Sequence, residues 1–416
     1  MKVFTFSFND KKGGAAISAY RLHTLLRKSG IDIKMFVARK FTNDDSVIGP
    51  KNNFYKIIQL TKQKTCQFFI YVFFNKSKIF ISPSLFNTNW HRLINHSNVE
   101  LVHLHWINLE FISIKDISKI NKPIIWTLHD MWAFSGSQHL VYDNSYTTEF
   151  KFKLFSSFIS KLDYWVWKSK MENFRSNIAI VAPSNWLASC IKKSMIFKSN
   201  SIFVIPNPIN IESWNLLDKN IERLKFGFTS LEKLILFSSS EPLDNFNKGF
   251  DLLLESLEII NKNTNYKLIV IGHSKPHKQH YNDKIIFLGK ITDQHILNSI
   301  YRCVDFTVIP SRQENLSNVA IESMLNERPV IAFNCSGNPD IIINNTNGIL
   351  VDAYSTYNFG IAIEKLLTDN ILVRNFAYNA RLYILQNFDS EIIKNKYLSL
   401  YHSMISINKY NSQNKL

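Results

Sequence analysis

Apolar residues along this chain fall into short runs, each closed by glycine, proline or a polar cluster and then followed by residues at helical spacing. Residues 2–8 alternate loosely as a strand and lead into Asn9-Asp10-Lys11-Lys12-Gly13-Gly14. Ile17, Tyr20, Leu22, Leu25 and Leu26 then recur as one face of a helix closed by Ser29-Gly30, and residues 31–38 form a second strand. Strand, glycine turn, helix, strand is the unit of a doubly wound α/β sheet. Further strands are predicted at 101–106, 124–128, 179–182 and 203–205. Pro206-Asn207-Pro208 cannot continue a sheet and marks a boundary. The pattern restarts at 233–237 and runs through strands at 266–271, 285–289, 306–309, 330–333 and 348–351. Helices are predicted at 293–302, 357–368 and 370–386, with a long amphipathic one at 388–405. The expected fold class is α/β, with two strand-first halves.

The stretch 304–334 concentrates the candidate chemistry. A buried strand ends at Pro310-Ser311, a polar loop carries Glu314, and Ser317 and Asn318 offer capping side chains for a helix continuing through Met324. The N–H groups and positive dipole at such a helix start suit a phosphate. Glu314 before the helix and Glu322 inside it lie eight residues apart, about 12 Å along a helix, so they could reach opposite ends of one ligand. Carboxylates framing a phosphate site suit a ligand rich in hydroxyls, such as a nucleotide-sugar. Lys248-Gly249 stands at the entrance of another helix, where a lysine is either a phosphate ligand or an ordinary surface residue. In the first half, His105 and His129 sit at strand ends, where open α/β sheets gather their functional residues, and Asp130 could orient a neighbouring polar group. Gly13 and Gly14 would let a ligand approach closely or simply make a tight turn.

Charge adds a second theme. Of the 49 Lys+Arg and 33 Asp+Glu, residues 1–205 hold 28 and 12, leaving 21 of each for the remainder, so the whole net charge of +16 lies in the first half. Between Ser46 and Val99 there is no acidic residue, and Lys51, Lys56, Lys62, Lys64, Lys76, Lys78 and Arg92 interleave with aromatic side chains. A second basic-aromatic patch begins at Phe150. Lysines among aromatics suit the interface of an anionic membrane; a basic surface over an ordinary core helix is the alternative, and nucleic acid fits less well. The start lacks the layout of a signal peptide, and the longest apolar cluster, 66–74, is too short to span a bilayer. The four cysteines have no CxxC spacing and are expected to be reduced, with no zinc or disulfide. A cytosolic protein is expected.

VIPNPIN at 204–210, KGFD at 248–251, FLGKI at 287–291, PSRQENLSNVAIESM and RPVIAFNCSGNPDII together resemble the retaining glycosyltransferases of family 4, which have the GT-B fold of two Rossmann-like domains. The N-terminal GGAAISAYRLHTLLRKSGIDIKMFV and HLHWIN…WTLHDMWAFSGSQH are similar to bacterial enzymes of exopolysaccharide, colanic-acid-type and lipopolysaccharide assembly. The resemblance implies an acceptor-binding domain at 1–207 and a nucleotide-sugar-binding domain at 208–386. It implies that the helix in 387–416 crosses back to the first domain. Glu314 would hold donor sugar hydroxyls, with Asn315, Leu316, Ser317 and Asn318 near the phosphates. Glu322 would bind the ribose, Lys248 the departing diphosphate and His129 the sugar, at a cleft between domains. Gly13 and Gly14 would approach the diphosphate or acceptor, and Gly272 and Gly289 would line the donor pocket. The donor would be a UDP- or GDP-sugar and the acceptor a saccharide, expected to be lipid-linked. No metal or other cofactor is implied, nor any nucleic acid, and the place would be the inner face of the cytoplasmic membrane. One departure stands out: the family usually has an arginine about five residues before the lysine, where Leu243 stands here. Charge on the leaving group would then rest on Lys248, helped by a helix dipole or by Asn245 and Asn247. Competing expectations are an inactive, sugar-binding relative and an epimerase or phosphorylase on the same fold.

Overall fold

The computed structural model describes the chain except residues 75–79, 151–156, 176, 242, 244, 273–282 and 414–416. Lys76, Lys78, His273, Ser274 and the segment 151–156 of the second basic-aromatic patch lie outside the described residues. The chain divides into two compact units, Met1–Ile209 with Ser390–Leu416, and Asn210–Asp389.

The first unit begins with β1 (Lys2–Asn9), α1 (Gly14–Lys28), β2 (Asp32–Arg39), β3 (Val47–Ile48), α2 (Asn53–Phe74) and α3 (Trp90–Asn95). It continues with β4 (Leu101–Leu104), α4 (Ile114–Ser118), β5 (Ile124–Thr127), α5 (Phe158–Asn173), β6 (Ala179–Ala182), α6 (Asn185–Lys193) and β7 (Ile202–Val204). The second unit holds α7 (Lys219–Lys225), β8 (Leu234–Ser238), α8 (Phe250–Leu257), β9 (Lys267–Ile271), β10 (Ile285–Gly289) and α9 (Gln294–Cys303). It closes with β11 (Phe306–Ile309), α10 (Asn318–Leu325), β12 (Val330–Phe333), β13 (Gly348–Val351), α11 (Thr356–Thr368) and α12 (Asn370–Asn387). The last helix, α13 (Ser390–Gln413), belongs to the first unit.

The sheets have the orders β3-β2-β1-β4-β5-β6-β7 and β10-β9-β8-β11-β12-β13. Every pairing between these strands is parallel. Strands of a parallel sheet are covered on both faces, which is why the central ones are apolar at almost every position rather than alternating. β4, β5, β6, β11 and β12 are buried along their whole length.

One face of the first sheet packs in a large cluster that includes Phe6, Phe36, Val102, Leu104, Trp126, Trp132 and Ile180. The other is covered in part by α13, whose Ile393, Tyr397, Leu400 and Tyr401 pack against Val3, Leu22, Leu101 and Ile125. Those four positions follow helical spacing, so a single stripe of α13 does the covering. Its two tyrosines stay hydrogen-bonded while buried: Tyr397 Oη lies 3.0 Å from Thr127 Oγ1 and Tyr401 Oη 2.6 Å from His103 Nδ1. In the second unit, Ile235, Leu253, Val270, Phe306, Ile331, Phe359 and Ile363 belong to one core cluster.

Candidate functional site

In each sheet the strand order reverses at one place, between β1 and β4 in the first unit and between β8 and β11 in the second. Loops leaving the carboxyl ends of the two strands at such a point turn away from each other and open a crevice. In the second unit those loops carry Lys248, after β8, and Glu314, after β11.

Lys248 Nζ and the Glu314 carboxylate form an ion pair, and Ser311 Oγ donates to the same carboxylate oxygen, Oε1, at 3.1 Å. Both side chains are mostly buried, at 26% and 13% exposure, so their charges are weakly screened. The sequence builds this contact by packing one loop on the other. Residues Phe246–Lys248 make one turn of 3-10 helix, capped by Asn245, whose Oδ1 accepts from Asn247 N at 3.1 Å. Gly249 follows in the left-handed region at φ 69°, and a Cβ there would stand 1.9 Å from the carbonyl oxygen of Pro310. Only glycine allows that approach. Asn247 Nδ2 donates to Gln313 O at 2.7 Å and Arg312 N to Asn247 O at 2.8 Å. The two asparagines expected to help hold phosphate charge also shape the loops.

From the other side, Gly337 N donates to Glu314 O at 2.7 Å, and a Cβ on Gly337 would lie 1.6 Å from Asn315 O. The loop with Glu314 is thus held between two glycine contacts. Ser317 then caps α10, its Oγ accepting from Ala320 N at 3.2 Å, so the positive end of the helix sits just past Glu314. Glu322, in α10, is buried and accepts from Tyr301 Oη at 3.4 Å. Gly272 N donates to Gly289 O at 3.0 Å, joining the ends of β9 and β10.

The residue that the sequence reading missed is Arg312. Its guanidinium donates to Phe246 O at 2.6 Å, grips both oxygens of Asp251 at 2.9 and 2.6 Å, and lies 3.7 Å from the Phe246 ring centre. It puts a second cation on the same pair of loops. Its position two residues before Glu314 was the only signal, and no spacing rule picks it out.

In the first unit, Gly13 precedes α1 at φ 88°, ψ 156°, a conformation that only glycine adopts readily. The turn before it is fixed by Asn9 Oδ1, which accepts from Lys11 N and Lys12 N at 3.1 and 2.6 Å. Asp10 is buried and accepts from Phe41 N, Thr42 N and Thr42 Oγ1 at 2.8, 2.9 and 2.6 Å, tying the end of β1 to the end of β2. Just past the ends of β4 and β5, His105 Nδ1 and His129 Nε2 lie 3.1 Å apart with their rings stacked. Burial drives both imidazoles toward the neutral form, His129 to about 4 and His105 well below the ordinary histidine value.

The loop after His129 is held by buried charges. Burial opposes ionisation of Asp130, yet His139 and the N–H groups of Trp132 and Trp106 keep its carboxyl below the usual range. His139 in turn reaches Ser82 Oγ through Nε2 at 2.8 Å. Asp163, on α5, accepts from Ser137 N, Ser137 Oγ and Gln138 Nε2 at 2.7, 2.5 and 2.7 Å. Lys170, also on α5 and fully buried, donates to the carbonyls of Trp132, Ser135 and Gly136. Its Nζ also lies 3.8 Å from the Trp132 ring centre. Burial pushes this ammonium well below the usual lysine range, against the pull of Asp163 and Asp130. The Lys170 clamp was invisible in the sequence, where it reads as one more surface lysine.

Two family profiles match, in chain order. Residues 12–213 match "Glycosyltransferase Family 4" and residues 232–369 match "Glycosyl transferases group 1". The chain belongs to this glycosyltransferase family, and the two parallel sheets are the two Rossmann-like domains of the GT-B fold. Among curated relatives it is 28% identical over 237 residues to the capsular polysaccharide biosynthesis glycosyltransferase CapM of Staphylococcus aureus, covering 54% of this chain and 62% of that protein. It is also 28% identical over 170 residues to the poly(ribitol-phosphate) alpha-N-acetylglucosaminyltransferase of the same species, covering 38% of this chain and 33% of that one. The chain thus spans less than two thirds of the length of these relatives. Among solved structures, sucrose-phosphate synthase from Thermosynechococcus elongatus superposes with a TM-score of 0.70 at 16% identity, over 98% of this chain and 99% of that one. Anabaena HepE in complex with UDP-glucose superposes with a TM-score of 0.63 at 16% identity, over 97% of this chain and all of that one.

Proposed function

We propose that this protein transfers a sugar from a nucleotide-diphosphate sugar to a saccharide acceptor, carried on a lipid, in the assembly of a surface polysaccharide. The observation that carries the reading is the Lys248–Glu314 pair beside the start of α10, at the point where the sheet order reverses. In the reaction the bond between the sugar's anomeric carbon and the diphosphate oxygen breaks. A bond to an acceptor hydroxyl forms, and the hydroxyl proton passes to the departing diphosphate. Negative charge grows on that leaving group. Lys248 and the N–H groups of Asn315, Leu316, Ser317 and Asn318 at the positive end of α10 are suited to stabilise it.

Glu314 would exchange part of its contact with Lys248 for the donor sugar's hydroxyls, and Glu322 would accept from the ribose. Gly272 and Gly289 would border the base, His129 the transferred sugar, and Gly13 and Gly14 the diphosphate or acceptor. Charge compensation comes from Lys248 and α10 rather than from a metal ion, and the anomeric configuration is retained. The UDP- or GDP-sugar is a co-substrate, and no other cofactor takes part. The relatives' names support a polysaccharide product. The acid-free basic run between Ser46 and Val99 supports a peripheral place on the inner face of the cytoplasmic membrane, where a lipid-linked acceptor would be met.

Lys248→Ala and Glu314→Gln should each lower transfer by about 100-fold or more, with circular dichroism and melting temperature near those of the parent. Full transfer by both variants would remove the site assignment.

A further inference from the structure

Helix α2 is built inside out. Its most buried side chains are Gln63 and Cys66, at 3% and 4% exposure, while Phe54, Ile57, Phe68, Tyr71 and Val72 are 51–67% exposed. Phe54, Ile57, Phe68 and Val72 follow helical spacing and share a face with Ile58, Thr61, Lys64 and Thr65. Gln59, Gln63, Cys66 and Ile70 occupy the opposite face. An ordinary surface helix does the reverse, burying its apolar stripe.

The inward glutamines tie the helix to the unit, although Gln63 Nε2 is buried without a hydrogen-bond partner among the described residues. Gln59 Nε2 donates to the carbonyls of Leu109 and Glu110 at 3.3 and 3.1 Å, and Gln63 Oε1 accepts from Arg39 Nη2 at 2.6 Å. Leu109 and Glu110 are both left-handed, at φ 55° and 61°. Glu110 is locked by Leu85 N and Phe86 N, at 3.2 and 2.9 Å, and by the Cys66 thiol. The helix is therefore fixed to the unit through these polar contacts and the packing of Ile70 on its core, in a register that leaves Phe54, Ile57, Phe68 and Val72 outward. Lys56 and Lys64 are exposed on the same helix, and no acidic residue falls between Ser46 and Val99. Among the described residues no helix is long and apolar enough to cross a membrane. A helix with one aromatic-aliphatic face and cations alongside lies in the interface plane rather than across it.

From this we infer that α2 is the membrane-docking element, lying in the headgroup region of an anionic bilayer with its outer face. The anionic lipid is chosen over a protein partner because the helix carries lysines and no acid to counter them. This inference rests on the peripheral-membrane part of the proposed function.

The test floats the full chain with vesicles of phosphatidylcholine alone or mixed with phosphatidylglycerol, comparing the parent with Ile57→Glu/Phe68→Glu. Both positions are exposed, so the variant should keep the parent's melting temperature. The parent should bind the anionic vesicles in a salt-sensitive manner, and the variant should bind about tenfold less or weaker still. Equal binding by both would overturn the assignment to α2 while leaving membrane attachment standing. No binding by the parent at low salt would remove both. A parent that is dimeric by light scattering, a monomeric variant, and vesicle binding by neither would assign the face to a second copy of this chain and overturn the lipid assignment.

Discussion

At the scale of single residues, the site depends on groups with no chemistry of their own. Gly337 and Gly249 bring the loops with Glu314 and Lys248 together, and the atoms a Cβ would strike are backbone carbonyls, which cannot rotate away. Gly337→Ala should therefore displace the Glu314 loop, lowering transfer about tenfold or more and also the melting temperature, a joint loss that kinetics with a thermal melt would reveal. An unchanged enzyme would mean that the loop shifts freely. Lys170 offers a second case. Truncation to alanine would take a donor from three buried carbonyls and open a cavity, costing about 3 kcal/mol, measurable by urea unfolding of the first unit. Glu314, Lys248 and His129 stood out in the sequence because their residue types stand at strand ends and helix starts, and Glu322 because of its spacing from Glu314. Arg312, Asp163 and Lys170 did not, because each is held by partners from other segments that periodicity does not bring together.

Among elements, the parallel strands were the most legible, because full burial makes them continuous apolar runs. The run at 285–289 is β10 and that at 348–351 is β13. Helix ends were less so: the last helix, expected at 388–405, runs Ser390–Gln413, since its polar final turns carry no apolar signal. Helix α2 entered only as the alternative of a core helix under a basic surface, with no bounds. Periodicity is read by asking which face is apolar and assigning that face inward, and here the inward face carries glutamines.

The histidines on β4 and after β5 give an element-level prediction. Burial holds His103 down to about 3 and His129 to about 4, from the ordinary 6.5, so both are neutral in the folded unit. The unfolded chain binds protons near 6.5. From there down to roughly pH 4 it binds more protons than the native state. These two histidines add no pH dependence above pH 7, and their contribution to stability should fall as the pH drops through that window, by up to about 1.4 kcal/mol per pH unit for each. Trp214 is the one tryptophan of eight in the second unit, so tryptophan fluorescence during urea unfolding reports mainly on the first. Stability unchanged between pH 7 and 4.5 would show that these imidazoles are not held neutral.

For the whole molecule, the charge distribution and the chain path fit one use. All the excess positive charge lies in residues 1–205, and the unit that holds them also takes back α13. The second unit, with no net charge in its half of the sequence, carries the Lys248–Glu314 pair and the start of α10. The sequence made the two α/β halves legible through their repeated strand-first order. The place of each loop relative to the reversal in strand order needed the sheet topology, because strand order is a non-local property. The most direct test of sugar transfer is the release of free nucleoside diphosphate from a panel of UDP- and GDP-sugars, with saccharide and lipid-linked acceptors, by the parent and by Lys248→Ala. The account predicts release from at least one donor, dependent on acceptor and slowed about 100-fold or more in the variant. Release from no donor, or release at equal rates by both proteins, would contradict it.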